Sequence, residues 1–499
     1  MEHTTGPVET WERHSGAACA PLGQYRRREP EKTLLHEVVR DRLESFLAAA
    51  RERSATGRGL PAFVERDFRA YLDCGILARG FARVRCPDCG FERLVAFSCK
   101  THLCPSCNAR RMEDTADHLV RNVLPAVPVR QWVLSMPRRV RFLAARHPAL
   151  ATRLLDLFTR AVFAWQRRSA RRLGVADPRS GGVTAVQRFG GALNLNVHFH
   201  TLVPDGVFDL AGGGPARFVV LRCPSDEELT AILTRFIRRA AKALARFDEE
   251  VETEADALAA LQAAEVDRRL RFPDPFKSPR HSVSLDGFSL HAGVRVHAND
   301  RQGLERLCRY VVRPPFALHR LSVGEDGRLV YRMKHPRGGS LFLVLAPDEL
   351  LARLATLVPP PRSHGVRYHG VFAPNAKARP RVVPQPFEPP PPAAPTPADA
   401  SASSSTPVQA PPRLDRPART YRVPWADLLK KVFAVDVLAC PCGGRLQLIA
   451  FIAEATVAKR ILDHLGLDSR GPPLARAQAP PDAPDLAPSY DGVDPAFPD

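Results

Sequence analysis

Two histidines on one predicted strand are the first residues of this sequence that suggest catalytic chemistry. His198 and His200 lie in the stretch 193–203, where apolar residues alternate with Asn and His. A period of two places both imidazoles on one face of a β-strand and the apolar side chains on the other. Neutral imidazole is a common ligand of divalent metals, so the pattern predicts a two-histidine metal site. The alternative is a pair of hydrogen-bonded histidines on a half-buried strand.

A tyrosine set between arginines is the candidate nucleophile. Tyr310 lies in a predicted helix over residues 300–313 but falls outside the apolar stripe of that helix. Arg306 and Arg313 flank it at helical spacing, which suggests phosphate chemistry. A metal ion on the two histidines would polarise a phosphate ester, and the phenol would attack it to give a phosphotyrosine bond. The alternative is a tyrosine at the edge of an apolar core.

The cysteine spacing predicts a zinc site. Four cysteines form two Cys-x-x-Cys pairs separated by fourteen residues: Cys86, Cys89, Cys104 and Cys107. Four thiolates close a tetrahedral shell, so the zinc would be structural and would leave no open position for water. Cys99 and His102, between the pairs, are alternative ligands. A further pair, Cys440 and Cys442, cannot close a shell alone and is interpreted as structural unless a partner chain supplies ligands.

The charge of the chain predicts a polyanionic partner. The 499 residues include 72 basic and 53 acidic ones, for a net charge of +19, which favours nucleic acid. Neither a signal peptide nor an apolar run near the ~20 residues of a membrane span is found, so we expect a cytoplasmic protein with no membrane partner. Clustered cysteines among the eleven favour metal binding in a reducing compartment over disulfides.

Predicted helices and strands position these residues. Helical spacing covers 34–47 and 63–77 before the cysteines, and later 148–173, 225–247, 300–313 and 347–357. Strand patterns cover 130–136, 181–189, 193–203, 283–285, 288–297, 329–334, 341–345 and 446–452. The mixture indicates an α+β protein in which a β-hairpin carries the two histidines.

The order of these motifs resembles the rolling-circle transposases of the insertion-sequence 91 type. Cysteine pairs are followed by Gln-Arg-Phe-Gly at 187–190 before the histidine strand, and by Arg-Tyr-Val-Val-Arg-Pro-Pro at 309–315. The resemblance implies an N-terminal transposase zinc-binding domain and a His-hydrophobic-His (HUH) endonuclease core, an antiparallel sheet with packed helices. It also implies Mg²⁺ or Mn²⁺ as catalytic metal and single-stranded DNA at element ends as substrate.

One position separates this sequence from the two-tyrosine branch of the family. Arg306 stands one helical turn before Tyr310, where that branch has a second tyrosine, so the chain resembles the single-tyrosine, common-region-like branch. One tyrosine per chain is compatible with a homo-oligomer. No acid or Gln stands in the turn after Tyr310, which leaves Gln187 as the candidate third metal ligand. The arginines expected to contact DNA are Arg110, Arg111, Arg188, Arg306, Arg309 and Arg313.

The sequence divides into six predicted parts. These are a disordered segment (1–30), a helical and zinc-binding domain (31–120), the endonuclease domain (125–375), a Pro/Ala/Ser-rich linker (376–420), a small C-terminal module (421–468) and a disordered tail (469–499). Two other functions share these motifs. One is a plasmid replication initiator or relaxase with the same chemistry, and the other is a non-catalytic, zinc-dependent DNA-binding protein.

Overall fold

The computed structural model describes residues 25, 27–54, 57–248, 257–267, 281–337, 340–384 and 423–478. It confirms the α+β class, with antiparallel sheets and packed helices. The helices are α1 (Leu34–Glu52), α2 (Ala62–Leu72), α3 (Pro105–Asn122), α4 (Arg138–Arg146), α5 (Pro148–Arg172), α6 (Asp226–Asp248), α7 (Ala257–Asp267), α8 (Arg301–Val311), α9 (Pro347–Leu357), α10 (Trp425–Phe433) and α11 (Ala455–His464).

The strands assemble into four sheets. They are β1 (Phe81–Arg85), β2 (Glu92–Ala96), β3 (Val129–Ser135), β4 (Pro178–Arg179), β5 (Gly181–Phe189), β6 (Leu195–Pro204), β7 (Gly206–Asp209), β8 (Arg217–Val220), β9 (Ser282–Leu285), β10 (Phe288–Val296), β11 (Leu321–Val323), β12 (Leu329–Arg337), β13 (Ser340–Leu345), β14 (Val366–Gly370) and β15 (Gln447–Ile452). The orders are β14-β5-β6-β3-β10-β9, β15-β1-β2, β11-β12-β13 and β4-β7-β8.

The six-stranded sheet carries the histidine strand near its centre. Strand β6 pairs with β5 on one side, where Gln187 faces His198, and with β3 on the other, where Val133 faces His200. Directly opposed residues of antiparallel strands point to the same face, so these side chains share the face of the two imidazoles. The predicted hairpin of β5 and β6 is therefore present, and β3 pairs with the other edge of β6.

Helices cover both faces of this sheet. On one face, alternate residues such as Val197 and Phe199 pack in a core with α4, α5 and α6. On the face of the imidazoles, the apolar stripe of α8 packs against Val183, Ala185 and Leu202. Helix α8 is thereby fixed over the histidine strand, since its buried stripe leaves only one orientation that removes the apolar residues from water.

The N-terminal helices share a core with the later part of the chain. Helices α1 and α2 pack with α9 and with β11, β12 and β13 around residues such as Leu43, Phe68 and Leu350. Helix α3 begins at Pro105, directly after Cys104, although the sequence analysis predicted no helix there. The first backbone N–H groups of a helix have no acceptor within the helix, so proline, which lacks an N–H, is favoured there. Pro105 is therefore the signal that would have located the start of the helix.

The predicted C-terminal module joins the N-terminal zinc-binding region. Strand β15 pairs with β1 along its length, so that Phe81 opposes Ile452 and Arg85 opposes Gln447. The predicted linker also begins later than expected, because Val382 is buried in the core beside α8. Much of the predicted segments 1–30, 376–420 and 469–499 lies outside the described residues. The part 469–478 runs along α1, where the Ala475 amide donates to the Arg40 carbonyl (3.3 Å). No described helix has the length and hydropathy needed to cross a membrane.

Candidate catalytic site and cysteine clusters

His198 and His200 lie side by side in a cleft of the six-stranded sheet. Their ring centroids are 4.8 Å apart and both side chains are buried. The His198 Nδ1–H donates to the Asn196 carbonyl oxygen at 2.8 Å, an acceptor that can only receive a proton. This bond fixes the tautomer and leaves the Nε2 lone pair available for a metal ion.

His200 has a side-chain partner on the neighbouring strand. Its Nδ1 lies 2.7 Å from the Gln131 side-chain amide nitrogen. Amide oxygen and nitrogen are interchangeable by a rotation of the group, and with the oxygen inward Nδ1–H becomes the donor. The opposite ring atom, Nε2, is buried without a hydrogen-bond partner among the described residues. An unpartnered buried nitrogen is costly unless it binds something, so the ring fits a metal ligand.

Burial keeps both imidazoles neutral. Loss of water lowers the pKa of His198 to about 4 and that of His200 to about 2. The nearby cations, such as Arg313, act in the same direction with smaller effect. At neutral pH both rings are therefore in the unprotonated form that binds metal ions, and no proton has to leave first.

Tyr310 lies against this histidine pair. The Asp300 side chain caps α8 by accepting from the Gly303 amide at 2.7 Å, and the buried stripe holds the helix on the sheet. The Tyr310 ring is 39% exposed, and its centroid is 5.7 Å from that of His200 with the planes at 88°. The three side chains that the sequence analysis singled out thus line one cleft, together with His291 from β10.

Two of the predicted DNA-contacting arginines lie beside the tyrosine. The Arg313 guanidinium stacks over the Tyr310 ring at 4.3 Å and donates to the Tyr310 carbonyl at 2.9 Å. Arg306 is exposed, and its nearest acid, Asp300, is 4.0 Å away. Lys334, a residue that the sequence analysis did not single out, lies 5.7 Å from the ring centroid. Positive charge therefore surrounds the phenol.

Two other arginines that were predicted to contact DNA, Arg188 and Arg309, have partners within the protein. Arg188 is half-buried, and its guanidinium donates to the carbonyls of Ala145 (3.0 Å) and Thr356 (3.4 Å). Burial lowers the pKa of Arg188 to about 10. Arg309 pairs with Glu113 at 2.9 Å and with Glu305 at 2.7 Å. Both arginines join elements of the protein, and the periodicity of the sequence could not distinguish them from surface cations.

Arg110 and Arg111 lie at the start of α3, next to a cysteine cluster. Arg110 donates to the Cys107 sulfur at 3.4 Å. Arg111 donates to the Asn108 side chain at 3.2 Å and to the Lys100 carbonyl. Their first partners are thus within the zinc-binding region itself.

Gln187, the candidate third metal ligand, is held by the end of the tyrosine helix. Its side-chain amide donates to the Val311 carbonyl at 2.7 Å, and the Tyr310 carbonyl is 3.3 Å away. The amide oxygen Oε1 is buried and has no partner among the described residues. No third His, Cys, Asp or Glu of the described part of the chain groups with the two histidines. On this face of the sheet lie both the Gln187 amide oxygen and the imidazole of His291, which lines the same cleft.

The predicted single zinc shell is wrong in its grouping, because the structure divides those four cysteines between two clusters. Cys104 and Cys107 lie with two other thiols, Cys74 and Cys99. In this first cluster the Cys74 sulfur is 3.6 Å from that of Cys104 and 3.7 Å from that of Cys107. Cys74 follows α2 on a turn whose Gly75 has a φ of 85°, a conformation that favours glycine.

Cys86 and Cys89 lie in the second cluster, with Cys440 and Cys442. The pairing of β15 with β1 brings the two pairs together from opposite ends of the chain. The interpretation of Cys440 and Cys442 as a structural pair unless a partner chain supplies ligands is therefore corrected, since this chain itself brings two other thiols beside them. Cys99 belongs to the first cluster and His102 to neither.

Two family models match parts of this chain. Residues 42–136 match the family model described as "Transposase zinc-binding domain", and residues 181–379 match the one described as "Putative transposase". The first stretch contains six of the clustered cysteines, and the second contains Gln187, both histidines and Tyr310. Cys440 and Cys442 lie outside both stretches. No curated protein and no solved structure matches the chain.

Proposed function

We propose, from the premise that this chain belongs to the transposases of the insertion-sequence 91 type, that it cuts and rejoins single strands of DNA at the ends of its element. The nucleophile is Tyr310, and the covalent intermediate is a 5′-phosphotyrosine. The core that carries it is an HUH endonuclease of the single-tyrosine branch. Transposition then proceeds by the rolling-circle route that this branch implies.

The observation that carries the proposal is the contact between Tyr310 and the histidine pair. A phenol that is partly exposed, with its ring centroid 5.7 Å from that of a buried His, can reach a phosphate that the same cleft binds. Buried neutral imidazoles with free Nε2 atoms suit a divalent cation. A non-catalytic DNA-binding protein would have no need of an unpartnered ring nitrogen in this cleft.

The reaction exchanges one phosphate ester for another. The Tyr310 hydroxyl oxygen attacks phosphorus, the P–O bond to the 3′ oxygen breaks, and the phenolic proton passes to solvent as the 3′-OH forms. The ester energy stays in the P–O–tyrosine bond, so a later 3′-OH can reverse the step without ATP. Arg306 and Arg313 are placed to hold the flanking phosphates, since the guanidinium fork matches phosphate oxygens.

His198, His200 and Gln187 would hold the catalytic Mg²⁺ or Mn²⁺. When bound there, the ion would polarise the scissile phosphate and offset the charge that develops on it. The Asn196 carbonyl and the Gln131 amide orient the two rings from behind. Gln187 fits the third position because its nitrogen is engaged with the end of α8 while its oxygen is unpartnered. The same residue therefore connects the metal site to the tyrosine helix.

One tyrosine serves each chain in this proposal. Arg306 occupies the place one turn before Tyr310, and Tyr331 is buried in the N-terminal core, stacked on Phe316 at 5.3 Å. Tyr310 holds one 5′ end at a time, so moving an element requires its sequential use or a second subunit.

The first cysteine cluster is the structural zinc site of the N-terminal domain. A zinc ion with four thiolates carries a charge of −2, and two arginines offset it. Arg28 lies 3.3 Å from the Cys74 sulfur, and Arg110 is at 3.4 Å from that of Cys107. Such outer contacts stabilise thiolates and orient them. Here Arg110 serves the zinc site, which leaves Arg111 as the DNA contact of this region.

The test is a covalent-adduct assay with Tyr310→Phe. The full chain is incubated with single-stranded DNA from an element end and Mn²⁺, and the product is resolved on a denaturing gel. Wild type is expected to form a protein–DNA adduct and the variant none, while its melting temperature and DNA binding stay unchanged because only one exposed oxygen is lost. Mapping of a wild-type adduct to Tyr368, or an adduct formed equally in EDTA, would overturn the assignment.

A further inference from the structure

The second cysteine cluster shares no residue with the cleft of the two histidines. We infer that Cys86, Cys89, Cys440 and Cys442 bind a second structural zinc ion, which fastens the C-terminal module to the N-terminal domain. The sulfur atoms of Cys86 and Cys442 are 3.7 Å apart, those of Cys89 and Cys440 are 3.5 Å apart, and those of Cys440 and Cys442 are 3.4 Å apart. A Zn–S bond of ~2.3 Å places the thiolates of a tetrahedron about 3.8 Å from one another.

The backbone around the four thiols forms two tight turns. The Gly90 amide donates to the Cys86 carbonyl at 3.0 Å, and the Gly443 amide donates to the Cys440 carbonyl at 3.0 Å. Both glycines have positive φ, 74° and 90°. These turns direct both thiols of each pair to one point, as zinc-binding knuckles require.

Gly444 allows the two turns to meet. A Cβ at this position would lie 3.2 Å from the Cys86 sulfur and 2.2 Å from the Asp88 carboxylate. A side chain at this position would displace the Asp88 carboxylate and crowd the Cys86 sulfur. The absence of a side chain at a contact between elements 350 residues apart in sequence indicates a site built for close approach.

The donor set selects zinc and a structural role. Four thiolates suit a tetrahedral soft-ligand ion and leave no coordination position for a substrate. A pair of disulfides would also join these residues, but the sulfur separations match a shared ion better than bonds of ~2.05 Å. Cys89 and Cys442 are exposed, whereas in the first cluster three of the four thiols are buried. The second zinc is therefore the one that chelators reach first.

The contacts around the centre show what the ion would hold in place. Strand β15 completes the sheet of β1 and β2, and the Arg93 guanidinium donates to the carbonyls of Val437 (2.6 Å) and Ala439 (3.1 Å). Most of strand β15 is otherwise exposed, including Phe451 at 68%. Two small apolar clusters, one around Phe81 and one around Val84, also join the module to β1, and metal binding would add to this limited packing.

Metal analysis of the purified full chain tests the inference. Wild type and the matched control Cys223→Ser are each expected to contain two zinc ions per chain. The double variant Cys440→Ser/Cys442→Ser is expected to contain one. Cys104→Ser is expected to lose the first ion, and this would show that the two centres are separate. One ion in wild type, or two in the double variant, would overturn the inference.

Thiol labelling gives a second measurement that does not depend on the variants. In wild type we expect Cys86, Cys89, Cys440 and Cys442 to resist alkylation until a chelator is added, and then to react before the thiols of the first cluster. Hydrogen exchange in residues 447–452 should rise at the same moment. Thiols that react without chelator, or that react only after a reductant is added, would contradict zinc binding at this cluster.

Discussion

Lys431 of α10 lies 2.9 Å from Glu305 of α8, the helix that carries Tyr310. The same ammonium group is 3.4 Å from Asp117 and 3.7 Å from Glu113, both on α3. One lysine thus joins the C-terminal module, the zinc-binding region and the tyrosine helix. The module that follows the linker is placed to influence the catalytic helix without touching the cleft.

Replacement of Lys431 by Glu tests this connection. A fourth carboxylate would stand beside three others, two of which are largely buried. We expect faster hydrogen exchange in residues 425–433 and a loss of stability of about 1 kcal/mol or more. Lys430→Glu is the matched control, because Lys430 pairs with Asp436, away from α8. Equal exchange in both variants would contradict the proposed contact.

Replacement of Cys74 by Ser distinguishes between the two possible groupings of the cysteines. If Cys74 completes the shell of Cys104 and Cys107, the variant loses one zinc ion and the fold around α2 and α3 weakens, because metal binding is coupled to folding. If the two Cys-x-x-Cys pairs shared one ion, its zinc content would equal that of wild type. Zinc is measured on dialysed full chain by mass spectrometry of the element.

Replacement of Gln187 by Leu tests the third ligand. Leu keeps the volume but offers no oxygen, so the Mn²⁺ concentration for half-maximal cleavage should rise about 10- to 100-fold. Gln187→Glu keeps an oxygen donor and should need far less added metal than the Leu variant. Metal titration of cleavage is the measurement, with melting curves to verify folding. An unchanged Mn²⁺ requirement in the Leu variant would show that Gln187 only supports α8.

Arg306 and Arg188 are expected to differ in DNA binding. Arg306→Ala removes an exposed cation, so the slope of log affinity against log salt should become shallower by about 1. Arg188→Met leaves two buried carbonyls without their donor and should cost about 1–3 kcal/mol of stability with no change in slope. Single-stranded DNA binding is measured at several salt concentrations. A slope that changes for Arg188→Met and not for Arg306→Ala would reverse this assignment.

Because of His369 on strand β14, we expect the folded protein to be less stable in acid. Burial lowers the pKa of His369 to about 4, and its Nε2 is 3.0 Å from the Thr184 hydroxyl. The unfolded chain binds the proton near pH 6.5, so stability is complete above that pH and falls as the pH approaches 4. Between pH 7 and pH 5, the free energy of unfolding measured in urea should therefore fall by up to about 2 kcal/mol less for His369→Gln than for wild type. Identical losses would show that His369 titrates normally.

Patterns that are local in sequence predicted much of the fold and of the catalytic cleft. The alternation around His198 and the apolar stripe below Tyr310 depend on neighbours within a few residues, and the structure has the corresponding strand and helix. The zinc grouping is not local. Which thiols share an ion depends on the pairing of β1 with β15, which no spacing within residues 86–107 encodes. The hydrogen bonds of Arg188 are not local either, because its acceptors lie on α4 and α9.

Strand β15 is synthesised long after its partner strand β1, so the N-terminal sheet is completed late in synthesis. Strands β1 and β2 of the N-terminal sheet are synthesised early, but the third strand and two thiols of the second cluster follow more than 340 residues later. Until then the sheet of β1 and β2 has an open strand edge, and Cys86 and Cys89 lack their two partner thiols, while the residues of the histidine cleft are already synthesised and can fold. A copy of the gene with a premature stop between Pro384 and Cys440 would thus encode the whole catalytic cleft but no fastening. Its product would expose the edge of β1 to pairing with other chains.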